Sequence, residues 1–228
     1  MKRIAIIAAM PGELKPLVRD WPSESRHGVD LWRRRQGESE WIAACAGAGV
    51  VAAKRTFDEI EKDGGIDSVF SVGWAGALRE DLAAGQAYRV SGVIDAHTGE
   101  RFGAADQSEE CWLVTSDRVA DQADKRQLAA TYGAGLVDME AAGIARQAAL
   151  RGIPFSCIKG VSDGFSDELP DFNRFISKHG QFQSAQFIFF AMLRPWHWPA
   201  LMRLGQNSEQ SAQGIKESLL DILKRLPR

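Results

Sequence analysis

The sequence predicts an α/β fold of three layers, a mixed and largely parallel central sheet flanked by helices, followed by a helical C-terminal segment. Three observations predict it. The apolar runs Ile4 to Ala9, Ile66 to Val72 and Pro154 to Val161 are continuous rather than alternating, as strands covered on both faces must be. Stretches with helical spacing separate the strand-like runs over the first part of the chain, the alternation of an α/β domain. From Phe172 onward only the helical pattern remains.

Each element has its own warrant. Ile4 to Ala9 is a buried strand, and Pro11 then supplies the fixed φ of a first helical turn that carries Leu14, Leu17 and Val18. Leu31 to Arg35 and Trp41 to Cys45 flank Gly37-Glu38-Ser39-Glu40 as a hairpin. Gly47-Ala48-Gly49 opens a helix with apolar positions Val50, Val51, Ala53, Phe57 and Ile60. The strand Ile66 to Val72 is expected to stop at Gly73-Trp74-Ala75-Gly76, and Gln86 to Ile94 is a further strand before a turn at 97–100. Trp112 to Thr115 reads as a strand, Asp121 to Tyr132 as a polar-faced helix, Ala134 to Val137 as a strand and Glu140 to Arg151 as a helix; Pro154 to Val161 closes the sheet. Pro195 and Pro199 are expected to break the C-terminal helical pattern, which divides the chain into a catalytic domain, 1–193, and a helical extension, 194–228, packed on it.

Composition narrows the function. A net charge of -2 and a pI near 6.1 give no long-range attraction for nucleic acid. Cys45, Cys111 and Cys157 lack metal-ligand spacing and are expected as free thiols in a cytoplasmic protein. Met1-Lys2-Arg3 and the apolar run after it imitate a signal peptide, but Pro11-Gly12-Glu13 cuts the run and no small-residue cleavage site follows. The apolar stretch Phe187 to Leu193 falls far short of the roughly 20 residues that a spanning helix needs.

Four strand ends carry the chemistry: Met10-Pro11-Gly12-Glu13, Gly73-Trp74-Ala75-Gly76-Ala77-Leu78, Asp138-Met139-Glu140-Ala141 and Val161-Ser162-Asp163. Strand ends are where open α/β sheets place ligands. In that order the motifs resemble the purine nucleoside phosphorylase and uridine phosphorylase superfamily, and most closely its methylthioadenosine/S-adenosylhomocysteine nucleosidases. The resemblance implies a nucleoside phosphorylase-like fold and cleavage of the N-glycosidic bond of an adenine nucleoside or thio-nucleoside, without cofactor or metal. It implies Asp163 as the acid that protonates the departing purine, Glu13 as the base that deprotonates an attacking water, and Glu140 as acceptor from the ribose hydroxyls. Met139, Gly73 and Trp74 complete the sugar side, while Val119 and Phe172 stand in for an aromatic residue that stacks on the base; Phe165 is an alternative to Phe172. A homodimer is the implied assembly.

Departures from the family pattern sharpen the reading. Where bacterial phosphorylases of the superfamily hold phosphate with an arginine and a serine, this chain has Ser71 and Trp74, and its first loop has no arginine. A phosphate dianion needs such cationic contacts, so water is the favoured nucleophile. Three alternatives stay open: a phosphorylase, an enzyme for an adenosyl-lipid of the hopanoid-associated type, and a nucleoside-binding protein that has lost turnover. Taken singly, the marked residues also have plainer readings, Asp163 as a turn residue, Glu13 and Glu140 as first-turn glutamates facing a helix dipole, Met139 as core. The segment after Arg194, basic and bearing Trp196 and Trp198, can lie on an anionic membrane surface, although packing on its own domain or a partner is favoured.

Overall fold

The computed structural model describes residues 1–105, 111–175, 183, 187 and 194–225. Its elements are β1 Lys2–Ala8, α1 Pro11–Val18, β2 Ser23–Arg26, β3 Val29–Gln36, β4 Ser39–Cys45, α2 Val50–Glu61, β5 Ser68–Ala77, β6 Ala87–Asp95, β7 Arg101–Gly103, β8 Cys111–Thr115, α3 Gln122–Tyr132, β9 Leu136–Asp138, α4 Ala141–Arg151, β10 Phe155–Asp163 and a long final helix, α5 Trp198–Arg225.

The apolar strands owe their composition to burial on both faces. Along β1, Ala5 and Ile7 join one core with Phe57 and Ile60 of α2 and Ile144 and Ala148 of α4. Ile4, Ile6 and Ala8 point the other way, to Leu14 and Val18 of α1 and Ile215, Leu219, Ile222 and Leu223 of α5. The period of two sends successive side chains to opposite layers, so neither face tolerates a polar residue. The segment set apart in the sequence at residue 194 therefore supplies the core of one layer. No helix among the described residues is long and apolar enough to cross a membrane.

Strands β4, β1, β5 and β10 pair in parallel, and β3 and β2 extend that side antiparallel. Beyond β10 the order is β6, β8, β9, and β9 returns antiparallel to β5, so β5, β10, β6, β8 and β9 close into a ring. Register then gathers the marked strand ends. Asp163 pairs with Gly76, Gly76 with Val137 of β9, and Asp138 with Thr115 of β8.

The structure departs from the expectations at three places. The strand expected to stop before Gly73 continues to Ala77, because Gly73 adopts φ +142, which a residue with a Cβ rarely does, and pairing with β10 persists beyond it. Strand β2, Ser-Glu-Ser-Arg, is an edge strand with no apolar alternation to mark it. Short β7 begins just after the expected turn at 97–100. A 3₁₀ turn, Asn173–Phe175, follows Phe172; the helical pattern expected over 176–193 lies outside the described residues apart from 183 and 187. The two later prolines lie at the starts of elements, where the expected break in the helical pattern falls. Pro195 opens a 3₁₀ turn and Pro199 sits in the first turn of α5, where its missing N–H has no helical acceptor to serve.

Candidate active site

A cavity of about 280 Å³ opens where these strand ends meet. Glu13, Trp74, Val119, Met139, Glu140, Asp163 and Phe172 all line it, together with Leu169 and, from α5, Leu204 and Ser208. Gly73 and Phe165 are not among the lining residues. Gly73 stands behind Glu13, and a Cβ there would lie 2.7 Å from Glu13 Oε1, so its role is to let the strand pass the carboxylate.

Glu13 is held by backbone alone. Trp74 N–H donates to Oε1 at 2.7 Å, while Ala9 and Met10 N–H donate to Oε2 at 2.8 and 2.7 Å. The Met10 contact is half of a capping box at the start of α1, so the helix-cap reading of Glu13 is also correct. A carboxylate oxygen accepts about two hydrogen bonds, which leaves Oε1 one lone pair for a further donor. Burial pushes the Glu13 carboxyl up, against the Lys159 charge and the three N–H groups.

Glu140 stands at the N-cap position of α4, but its side chain makes no bond to that helix. Its Oε1 accepts from Gly49 N–H at 2.9 Å and its Oε2 from Met139 N–H at 3.3 Å. Beneath it lies a buried network: Lys159 Nζ contacts Asp138 Oδ2 at 2.8 Å, Thr115 Oγ1 donates to Asp138 Oδ1 at 2.7 Å, and Ala142 N–H donates to Thr115 Oγ1 at 2.9 Å. Burial and then the neighbouring Asp138 charge push Glu140 up to about 8, with Lys159 opposing. Burial pulls Lys159 down, but Asp138 outweighs it and holds the ammonium above its ordinary value.

The Glu140 shift has a testable sign. The folded carboxyl binds its proton up to about pH 8, the unfolded one only to about 4.5, so the native state binds more protons between them and loses stability as pH rises through that window. Glu140→Gln has no proton to lose. Its melting temperature relative to the parent should climb between about pH 5 and 8, and its cleavage should fall furthest below the parent's above about pH 8, where the parent carboxyl is ionised and accepts from ribose hydroxyls more strongly than an amide does. Melting curves across pH check the first effect; a relative stability flat with pH would show that the Glu140 proton is not linked to folding.

Asp163, at the end of β10, accepts from Ser162 Oγ on Oδ1 at 2.6 Å and from Lys125 Nζ on Oδ2 at 2.5 Å. Sequence reasoning missed Leu169, Leu204 and Ser208 of the wall, and it missed two charged groups, Lys125 in the wall and Lys159 beneath it. A signal for each lysine existed. Lys125 falls on the i, i+3, i+4, i+7 stripe of α3 with Leu128, Ala129 and Tyr132, and Lys159 interrupts the apolar run of β10, so each is a charge placed in a core position.

Trp74 is both wall and tie. Its indole Nε1 donates to Ser208 O of α5 at 2.9 Å, and its ring lies 2.9 Å from where a Cβ on Gly12 would be. Val119 is fixed by Asn173, whose side chain accepts from Val119 N–H at 2.8 Å and donates to Val119 O at 3.0 Å. Among the described residues no three His, Cys, Asp or Glu side chains gather as a metal site would require. The three cysteines are buried free thiols.

A family model described as the phosphorylase superfamily matches residues 3–111 and 111–189. No curated protein sequence matches the chain. Among solved structures it is similar to futalosine hydrolase of Helicobacter pylori, with 18% identity, 99% of this chain and 98% of that one covered, and a TM-score of 0.76. The 5′-methylthioadenosine/S-adenosylhomocysteine nucleosidase of the same organism, complexed with a substituted pyrrolidin-3-ol, gives 17% identity, 99% coverage of both chains and a TM-score of 0.76. S-adenosylhomocysteine nucleosidase of Streptococcus pyogenes, in complex with 5-methylthiotubericidin, gives 20% identity, 100% and 98% coverage and a TM-score of 0.74. These alignments run the length of both chains, so α5 has a counterpart in the neighbours. By the match of its family model over most of its length, the chain belongs to the phosphorylase superfamily.

Proposed function

We propose that this protein is a nucleosidase that hydrolyses the N-glycosidic bond of an adenine nucleoside or thio-nucleoside and releases the free base. The observation that carries the reading is the division of one cavity between three carboxyl groups with different partners: Asp163 against a hydroxyl and an ammonium, Glu140 against N–H groups beside Met139, Glu13 against three backbone N–H groups. Departure of a purine leaves positive charge on the sugar and negative charge on the base. Asp163 answers the second by giving a proton to the base, and Glu140 answers the first by accepting from the ribose hydroxyls more strongly as charge develops. Met139 packs the sugar. The open lone pair of Glu13 Oε1 takes a hydrogen bond from water, and the carboxylate receives the proton as the oxygen attacks.

Water suits this cavity better than phosphate. Among the described lining residues the cations are Arg118 and Lys125, and these pair with Asp124 and Asp163. Lys159 is engaged with Asp138 and does not line the cavity. A phosphate dianion on the Glu13 side would meet a carboxylate and the Trp74 ring.

Adenosine and methylthioadenosine, incubated with and without inorganic phosphate and followed by base release and phosphorus NMR, test the reading. Turnover should be independent of phosphate and yield free sugar. A phosphate-dependent rate with a sugar phosphate product overturns it in favour of a phosphorylase. The adenosyl-lipid reading draws on the apolar wall of Leu169, Phe172 and Leu204 and on exposed Trp196, Trp198 and Met202 at the same end of α5, a surface suited to a long apolar 5′ group. A homodimer in the cytoplasm completes the proposal, and exposed Val51, beside the Gly49 that holds Glu140, is a face a second copy would cover.

A further inference from the structure

Helix α3 is a polar surface helix, and its buried residue is a lysine. Lys125 is 1% exposed, and its ammonium lies 2.5 Å from Asp163 Oδ2 and 2.6 Å from Gly164 O. Burying an ammonium costs several kcal/mol even when it is paired, and a leucine at this stripe position would pack as well. Room for the pair is built into the opposite strand. A Cβ at Gly76 would sit 3.0 Å from Asp163 Oδ2 and 3.2 Å from Lys125 Cε, so β5 carries a glycine where the two groups pass. Both residues line the cavity.

The consequence is chemical. Between them, Ser162 and Lys125 donate to both oxygens of Asp163, and a carboxylate held in an ion pair has no proton of its own to give. We propose that Lys125 is the positioning residue that supplies Asp163 with its proton for base departure: the ammonium passes a proton to Oδ2, leaving an amine beside a carboxylic acid, and Asp163 delivers that proton to the purine. This rests on the nucleosidase reading and deepens it. Atoms balance: the water oxygen bonds the anomeric carbon, the C–N bonding pair becomes the lone pair of the base, the base gains the proton relayed from Lys125, and water loses one to Glu13. Lys125 ends as a neutral amine and Glu13 as a carboxylic acid, and solvent restores both after the products leave.

Substrates that differ in their need for a proton give the test. Adenosine and methylthioadenosine require protonation of the leaving base; 4-nitrophenyl β-D-ribofuranoside expels a phenolate that needs none. Lys125→Met removes the proton source, and Lys125→Arg keeps the charge and pairing of the site but holds its proton too tightly to give it up. Both should lose purine release by roughly 10²–10⁴-fold in kcat, the span of general acid catalysis, with KM little changed, and keep nitrophenyl riboside cleavage within about threefold. Lys125→Arg keeps the test decisive if Lys125→Met fails to fold. Purine release at the parental rate in either folded variant overturns the proposal. So does parallel loss of both substrates, which marks Lys125 as merely structural. A parent that releases no base from either nucleoside is a separate result and removes the nucleosidase reading itself.

Discussion

Asp163→Asn folds and releases purine base roughly 10²–10⁴-fold more slowly than the parent, because an amide cannot deliver the proton that the leaving ring requires. The site tolerates the change in shape. The asparagine side chain would keep an oxygen for Lys125 Nζ, and its amide would face Ser162 Oγ, a hydroxyl that rotates to accept where it now donates at 2.6 Å. The loss falls on kcat rather than KM, since the proton matters only as the bond breaks. Chromatography of released base from methylthioadenosine under saturating conditions measures it. A variant within a few-fold of the parent removes Asp163 from the mechanism and returns it to the plainer role of ending β10.

Glu13→Gln abolishes hydrolysis by a similar factor, roughly 10²–10⁴, and in addition weakens the fold. The second effect follows from the donors around the carboxylate. Both of its oxygens accept backbone N–H groups, Oε1 from Trp74 at 2.7 Å and Oε2 from Ala9 and Met10 at 2.8 and 2.7 Å. A glutamine offers one oxygen and one NH₂, so whichever way it turns a donor faces a donor, at a cost of about 1–3 kcal/mol for the buried group left unpaired. Activity should fall far more than the stability change explains, and the residue of activity should show no phosphate requirement. If thermal melts drop while turnover per folded molecule is unchanged, Glu13 is the cap of α1 and nothing more.

The strands buried on both faces were legible because a short, unbroken apolar run seldom forms a strand with one face in water, and β1 and β10 fall where those runs lie. The strand ends that form the cavity were legible for a different reason, as a sequence of short motifs in order. What the sequence hid was hidden by ordinary physics. Glycine-rich Gly73-Trp74-Ala75-Gly76 reads as a loop, yet it is strand, held by parallel pairing to β10 that no local pattern reveals. Edge strand β2 carries only polar side chains because neither of its faces is deeply buried. Lys125 and Lys159 look like surface charges in composition and are buried in fact, since their partners Asp163 and Asp138 come from elements distant in sequence.

The hydrogen bond from Trp74 Nε1 to Ser208 O spans 134 positions of the chain. A protein is made from its N-terminus, and the strands that carry Glu13, Glu140 and Asp163 are complete well before α5 leaves the ribosome. Until then the cavity has no wall from Leu204 or Ser208, the Trp74 indole lacks its acceptor, and the layer that receives Ile215 and Leu219 is open to water. The cavity is thus walled only once α5 has been made and docked, and a chain cut short before residue 204 leaves it without a back.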